Sequence, residues 1–243
     1  MIVSSEAGKP EVFYTLQGEG PSCGRPAIFV RLSNCNLSCV WCDTPYTWNF
    51  EKVKADHPEK FVKAAQQTEM TLREVSETIN SFRPHSIDPI LVLTGGEPML
   101  QQISIVDLIF GHNLNVDAIE IETNGTIVPD TQLFSRCQFN VSLKLSNSGM
   151  AQDKRLRPAA IAAYVQAKSI FKFVVNTPED LEEIKAIVQR YDIDNQLVWL
   201  MPQGRNAKTL NSKLRWLADE CITNGYNLTN RLHVQTWGNE RGT

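Results

Sequence analysis

Several absences narrow the chain first. No window approaches the about eighteen uninterrupted apolar residues of a membrane-spanning helix, so no transmembrane span is expected. The opening residues, MIVSSEAGKPEVFYTLQGEG, have neither a basic leader nor an apolar stretch, and they carry Glu6 and Glu11. A secretory signal is therefore not expected, and a cytoplasmic protein is. An excess of positive charge is missing too: 24 Lys and Arg stand against 27 Asp and Glu, a net charge of −3. That leaves no broad basic field for nucleic acid, and no direct contact with it is expected. Glycine (13) and proline (12) are too scarce in 243 residues for a collagen-like or low-complexity chain, and no internal repeat is visible. What is present, 42% hydrophobic and 21% charged residues, suits one ordinary globular domain over residues 1–243 with a sizeable core.

The cysteines are distributed unevenly. Of Cys23, Cys35, Cys39, Cys42, Cys137 and Cys221, three lie within eight residues, in NCNLSCVWCDT. Disulfide partners rarely cluster so, and a reducing compartment keeps thiols free. A structural zinc site would need a fourth ligand, for which Cys23, Cys137 or His57 are available, but none repeats the paired spacing of a zinc ribbon. Three thiolates on a short loop suit three irons of a [4Fe-4S] cube, with the fourth iron left open to a reactant.

Around this loop the sequence alternates. Apolar runs at Ile28–Leu32, Ile90–Leu93, Ala118–Thr123, Phe139–Leu145, Phe171–Val175 and Leu197–Met201 read as strands. Segments 71–80, 101–110, 158–168, 178–190 and 206–224 read as helices, the first opened by a Thr71/Glu74 capping box. This is an α/β pattern of about six βα units on parallel strands, a doubly wound sheet or a partial TIM-like barrel. Residues 49–70, lysine-rich and polar, read as a solvated insertion or cap. In either fold the chemistry belongs at the C-terminal strand ends. There lie Cys35–Cys42, Thr94-Gly-Gly-Glu-Pro98, Glu122-Thr-Asn-Gly125, Lys144 and Gln203. Glycines after the second strand allow close backbone approach to a ligand, and Pro98 can start the next helix.

The C-x3-C-x2-C spacing with Trp41 before the last cysteine, followed by Gly95-Gly96-Glu97, resembles the radical S-adenosylmethionine (SAM) superfamily. That resemblance implies a partial TIM-like barrel in which Cys35, Cys39 and Cys42 hold a [4Fe-4S] cluster. It gives Gly95, Gly96 and Glu97 to the SAM ammonium, Ser142 and Lys144 to its carboxylate and ribose, and Gln203 to its nucleoside. Glu122 and Asn124 are SAM contacts or turn residues. The cluster then passes one electron to SAM, giving methionine and a 5′-deoxyadenosyl radical.

A narrower resemblance rests on LQGEG (16–20), Arg31, CDT (42–44) and LHVQTWGN (232–239). Together they are similar to the 7-carboxy-7-deazaguanine synthase family, from about residue 10 to the end. The resemblance implies conversion of 6-carboxy-5,6,7,8-tetrahydropterin to 7-carboxy-7-deazaguanine, by hydrogen abstraction at C6, ring contraction and loss of ammonia. It further implies a homodimer, an external electron donor such as flavodoxin or ferredoxin, and Mg²⁺ bound by the Thr44 hydroxyl, with Asp43 beside it. Gln17, Gly18 and Glu19 would read the pterin edge, Arg31 would pair with the substrate carboxylate, and Thr94 and His233 would add contacts. Arg241 and the terminal carboxylate would lie near His233. The rival readings are another small radical SAM enzyme, such as a glycyl-radical activating enzyme, and a non-enzymatic iron–sulfur or zinc module. The first would not need LQGEG with Arg31, and the second leaves Gly95-Gly-Glu-Pro98 without a use.

Overall fold

The computed structural model of the chain describes residues 1–50, 57–82 and 88–243. They form two compact units. One comprises Met1–Thr15, Pro26–Thr123 and Pro129–Gln138; the other comprises Leu16–Arg25, Asn124–Val128 and Phe139–Thr243. Among the described residues no helix is long and apolar enough to cross a membrane.

The first unit holds strands β1 (Ile2–Glu6), β2 (Lys9–Pro10), β3 (Val12–Leu16, all but its last residue), β4 (Pro26–Leu32), β5 (Gln67–Glu69), β6 (Ile90–Gly95) and β7 (Ile119–Thr123). The parallel set is β4–β6–β7, the first three strands expected from sequence. Their middles are continuous apolar runs because both faces are covered: Ile28, Val30, Ile90, Leu91, Val92, Leu93 and Ile121 are fully buried. Helices α1 (Lys63–Gln66), α2 (Leu72–Ser81) and α3 (Gln102–Gly111) complete the unit. At the start of α2, Thr71 accepts from the Glu74 amide while Glu74 accepts from the Thr71 amide, the expected reciprocal cap. Pro98 opens a 3₁₀ turn, Pro98–Gln101, that leads into α3.

The N-terminal strands were not expected. β1 runs antiparallel to β4 through Val3↔Leu32, and both β2 and β5 pair antiparallel with β1. This corrects the reading of 49–70 as solvated throughout. Its residues 51–56 lie outside the described ones, Lys63–Gln66 buries no residue, but Gln67–Glu69 is a sheet strand.

The second unit carries β8 (Cys137–Val141, of which Phe139 onward belongs to this unit), β9 (Ile170–Val175), β10 (Val198–Pro202) and β11 (Asn227–Leu228), parallel and in that order. Its helices are α4 (Gln152–Arg155), α5 (Pro158–Gln166), α6 (Asp180–Tyr191), α7 (Ala207–Asn224) and α8 (Leu232–Trp237). Phe139 packs against Tyr164 at a tilt, with ring centroids 5.2 Å apart, and the Tyr164 hydroxyl donates to Ile127 O at 3.1 Å. The expected strand Phe139–Leu145 leaves the ladder at Val141. Leu143 and Leu145 stay buried, so apolar pattern alone overextended it.

Candidate functional site

In the first unit the cysteine loop leaves β4 and is closed at its base. The Asn34 amide donates to Thr47 O at 2.8 Å, and Ser33 Oγ donates to the same oxygen at 3.1 Å. Asn34 takes a left-handed φ of 76°, a conformation that asparagine tolerates better than most side chains. Gln67 of β5 braces this base, its amide donating to Ser33 Oγ (2.7 Å) and Asn34 Oδ1 (3.0 Å). The polar stretch thus ends as a support of the loop.

Within the loop the three sulfurs share a desolvated setting. Burial, then the Glu97 carboxylate, push the Cys35 thiol up to about 12. Burial, then Asp43, push Cys42 up, with hydrogen bonds from Trp48 and Thr44 opposing. Cys39 is buried. His57, a possible fourth ligand on paper, has its Nε2 2.8 Å from Cys39 O and so serves the loop backbone. Thr44 begins the 3₁₀ turn Pro45–Thr47 without its side chain capping it, and the hydroxyl lies 3.8 Å from Cys42 Sγ. Elsewhere, burial raises Cys137 to about 12 and Cys221 to about 11.

The glycines after β6 answer first to the chain itself. A Cβ on Gly95 would stand 2.0 Å from Leu32 O, and one on Gly96 2.0 Å from Asn34 O. Gly95 also has a φ of +132°, which side chains disfavour. This fit lets the Gly96 amide donate to Leu32 O (2.9 Å) and the Glu97 amide to Asn34 O (2.8 Å). The Gly-Gly-Glu segment is thereby bonded edge-on to the start of the cysteine loop. Glu97 is fully buried; its Oε1 accepts from Thr123 Oγ1 (2.7 Å) and caps the Pro98 turn through the Met99 amide (3.0 Å).

One residue back along the strands lies a row of polar side chains. Arg31 pairs with Thr94 in the β4–β6 register, and Thr94 Oγ1 donates to Glu122 Oε2 at 3.1 Å. Arg31 lies over the Phe13 ring at 5.7 Å, with Phe13 stacked on Phe29. Its buried Nε has no hydrogen-bond partner, and it forms an ion pair with the Glu11 carboxylate at 3.5 Å. Burial opposes the guanidinium charge, but Tyr46, Glu11, Asp43 and Glu122 outweigh it and raise its pKa.

In the second unit the segment Leu16–Gly20 is held by charge. Glu19, 13% exposed at its side chain, receives the Lys172 ammonium on Oε2 and Arg231 Nε on Oε1, the latter at 3.1 Å. Burial alone would raise this carboxyl, yet Lys172, Arg231 and His233 hold it far below the usual carboxylate range. Arg231 also donates to Gly204 O at 2.7 Å. Gly18 accepts the Leu232 amide at 2.8 Å, and a Cβ there would fall 2.1 Å from His233 Nδ1. Gln17 is 1% exposed and takes the Glu19 amide on its Oε1 at 3.2 Å. Sequence reasoning missed Lys172 and Arg231; a lysine inside the apolar run IFKFVV was the available signal.

The remaining expected residues of this unit are held by near neighbours. Lys144 Nζ donates to Ser142 Oγ at 2.8 Å. Lys213 Nζ donates to Gln203 O (2.6 Å) and lies 3.4 Å from Gln203 Oε1. Asn124 Oδ1 accepts from the Thr126 amide (3.1 Å) and hydroxyl (2.6 Å), the geometry of a turn residue.

Comparisons with known proteins identify the family. Residues 16–159, more than half the chain, match the family model described as a 4Fe-4S single cluster domain. A 7-carboxy-7-deazaguanine synthase of Pyrobaculum aerophilum is 34% identical over 234 residues, covering 96% of this chain and 95% of that one. The chain belongs to the 7-carboxy-7-deazaguanine synthase family. A second member, from Rhodopirellula baltica, is 31% identical across 96% of this chain and 87% of its own. The crystal structure of QueE from Escherichia coli superposes with a TM-score of 0.65 at 24% identity, covering 91% and 92% of the two chains. The fold is accordingly α/β, the partial TIM-like barrel of radical SAM proteins.

For a member of this family the donor set of the first unit fits its cofactors. Three thiols on one pinned loop are soft ligands for iron, one per iron. Among the described residues no three His, Cys, Asp or Glu are grouped around a single-ion site, and one thiol per iron requires no such group. Thr44 offers a hard oxygen of the kind Mg²⁺ prefers.

Proposed function

We propose that this chain is an enzyme converting 6-carboxy-5,6,7,8-tetrahydropterin to 7-carboxy-7-deazaguanine with loss of ammonia, on the route to queuosine and other 7-deazapurines. The observation that carries the reading is the bonded pair of the cysteine loop and Gly95-Gly96-Glu97, with the incompletely partnered Arg31 in the same unit. A bound [4Fe-4S] cluster would supply the electron for reductive cleavage of SAM, the step that starts hydrogen abstraction from the pterin.

The chain's own residues bind and orient. Cys35, Cys39 and Cys42 hold the cluster. Gly95, Gly96 and Glu97 form the SAM ammonium site, with Glu97 fixing the turn from behind. Ser142, Lys144 and Gln203 serve the SAM carboxylate, ribose and nucleoside, and Glu122 holds Thr94 in place for substrate. Arg31 takes the substrate carboxylate, since its planar fork pairs with two oxygens and its Nε has no hydrogen-bond acceptor. Thr44 would hold Mg²⁺ through its hydroxyl, and the ion would supply charge stabilisation there. Gln17, Gly18 and His233 meet the pterin, whereas Glu19 acts through its two cations to hold that segment. Asn124 shapes its turn. Two copies of the chain associate, and an external flavodoxin or ferredoxin reduces the cluster; family membership supports both.

The test is anaerobic incubation of the cluster-loaded protein with SAM, Mg²⁺, a reductant and 6-carboxytetrahydropterin, followed by mass spectrometry. Cluster-dependent 7-carboxy-7-deazaguanine is expected. Cleavage of SAM without that product would discard the substrate while keeping the radical chemistry.

A further inference from the structure

We infer that Trp48 sets the reduction potential of the cluster by donating its indole N–H to the sulfur of Cys42. The inference deepens the radical SAM reading above and rests on it. Trp48 Nε1 stands 3.3 Å from Cys42 Sγ, hydrogen-bond distance for a sulfur acceptor.

The placement is built rather than incidental. The backbone of Trp48 is fixed on both sides, its amide donating to Pro45 O (3.2 Å) and its carbonyl accepting from Phe50 (3.1 Å). The ring abuts His57 edge-on, centroids 5.3 Å apart at 88°. His57 in turn is buried, with its Nε2 at Cys39 O. The indole and the imidazole thus reach two successive cluster cysteines, one at the sulfur and one at the main chain. Neither residue belongs to the C-x3-C-x2-C motif.

A sulfur that accepts a hydrogen bond gives less charge to its iron. Adding an electron makes the sulfur more negative and the bond stronger, so the donor stabilises the reduced cluster over the oxidised one. Thr44 Oγ1, 3.8 Å from the same sulfur, makes a weaker polar contact. Trp48 is therefore a positioning and tuning residue for electron delivery, not a ligand.

The experiment compares wild type with Trp48→Phe, both reconstituted anaerobically without SAM, in dye-mediated redox titrations read by the electron paramagnetic resonance of the reduced cluster. The expected result is a midpoint shifted to more negative potential in Trp48→Phe, with iron and sulfide per chain unchanged. An unchanged midpoint in a fully loaded variant would overturn the inference. Should Trp48→Phe load poorly, the question moves to protein carrying ¹⁵N-indole tryptophan in a Trp41→Phe background. There a hyperfine coupling between the reduced cluster and one indole nitrogen is expected, and its absence would equally overturn the inference. Wild type separates the two levels. If it takes up no cluster and cleaves no SAM, the functional reading fails as well; if it does both while the midpoints coincide, only the role of Trp48 fails.

Discussion

In the first unit the cysteine loop and the glycine segment are anchored through their backbones, and Arg31 and Thr44 keep bonding capacity at a functional atom. The cysteine loop is pinned at Asn34 and Thr47, the glycine segment at Leu32 and Asn34, yet Arg31 Nε has no hydrogen-bond acceptor and the Thr44 hydroxyl caps nothing. In the second unit the charged side chains already bond charged or polar neighbours. Glu19 takes Lys172 and Arg231, Lys144 takes Ser142, and Lys213 takes Gln203. The difference separates two uses of polar residues. Buried capacity left over points to a ligand, because leaving it unmet costs about 1–3 kcal/mol per group. The ion pairs of Glu19 with Lys172 and Arg231 point to shape.

The largest expected effects lie on the first side. Cys39→Ala should abolish cluster uptake, read as iron and sulfide per chain, and with it 5′-deoxyadenosine formation. Gly96→Ala should come close to the same loss although it removes no ligand. Its methyl would stand 2.0 Å from Asn34 O, a backbone atom, so the loop itself has to move. Near-normal iron content in Gly96→Ala would break the claim that the glycines hold the loop.

The next effect belongs to the second unit and is one of stability. Glu19→Ala leaves Lys172 and Arg231 buried without their counter-charge, which should cost about 3–5 kcal/mol in urea unfolding. Adding Lys172→Met should recover part of it. The pH dependence has a definite sign. Because the folded state holds this carboxyl below its ordinary value of 4.5, the stability it adds is complete above that value and is lost as the pH falls further. Wild type should therefore lose its advantage over Glu19→Gln only in acid. An advantage that vanished on raising the pH would contradict the ion-pair account.

Much of this contrast could be anticipated unevenly. The six buried strands, the Thr71–Glu74 cap and the Pro98 turn were legible because each depends on neighbours in sequence. The cysteine loop was legible because its spacing is chemical. β1 and β5 were not: IVSSE and QTE are short and polar, and their pairing joins residues more than sixty positions apart. Glu19 looked like a substrate reader because its partners lie 153 and 212 residues away. That the two glycines also abut the Leu32 and Asn34 backbone was not legible, because sequence does not reveal which backbone passes beside them. Local chemistry is written in local sequence, whereas what a buried charge faces is settled by topology.

Arg31→Lys sharpens the comparison from the other direction. The change keeps the charge and removes the planar fork. It should raise the KM for the pterin roughly 10–100-fold, the equivalent of one or two charge-assisted hydrogen bonds, while unfolding and substrate-free SAM cleavage stay near wild type. If Arg31→Lys instead destabilised the fold as much as Glu19→Ala, Arg31 would belong with the shape-holding ions.

The smallest expected effect tests the border between the two classes. Gly18→Ala places a methyl 2.1 Å from His233 Nδ1, as close as the Gly96 methyl comes to its neighbour, yet the obstacle here is a side chain. His233 is 21% exposed at its side chain, and its ring can give way more readily than a backbone atom, so the cost should sit within the about 1–3 kcal/mol typical of overpacking. In a His233→Ala background the same methyl should cost almost nothing in unfolding. A large penalty persisting in that background would mean that Gly18 is needed for the backbone path from Gln17 to Gly20, where its carbonyl accepts Leu232, and not for its fit against the imidazole.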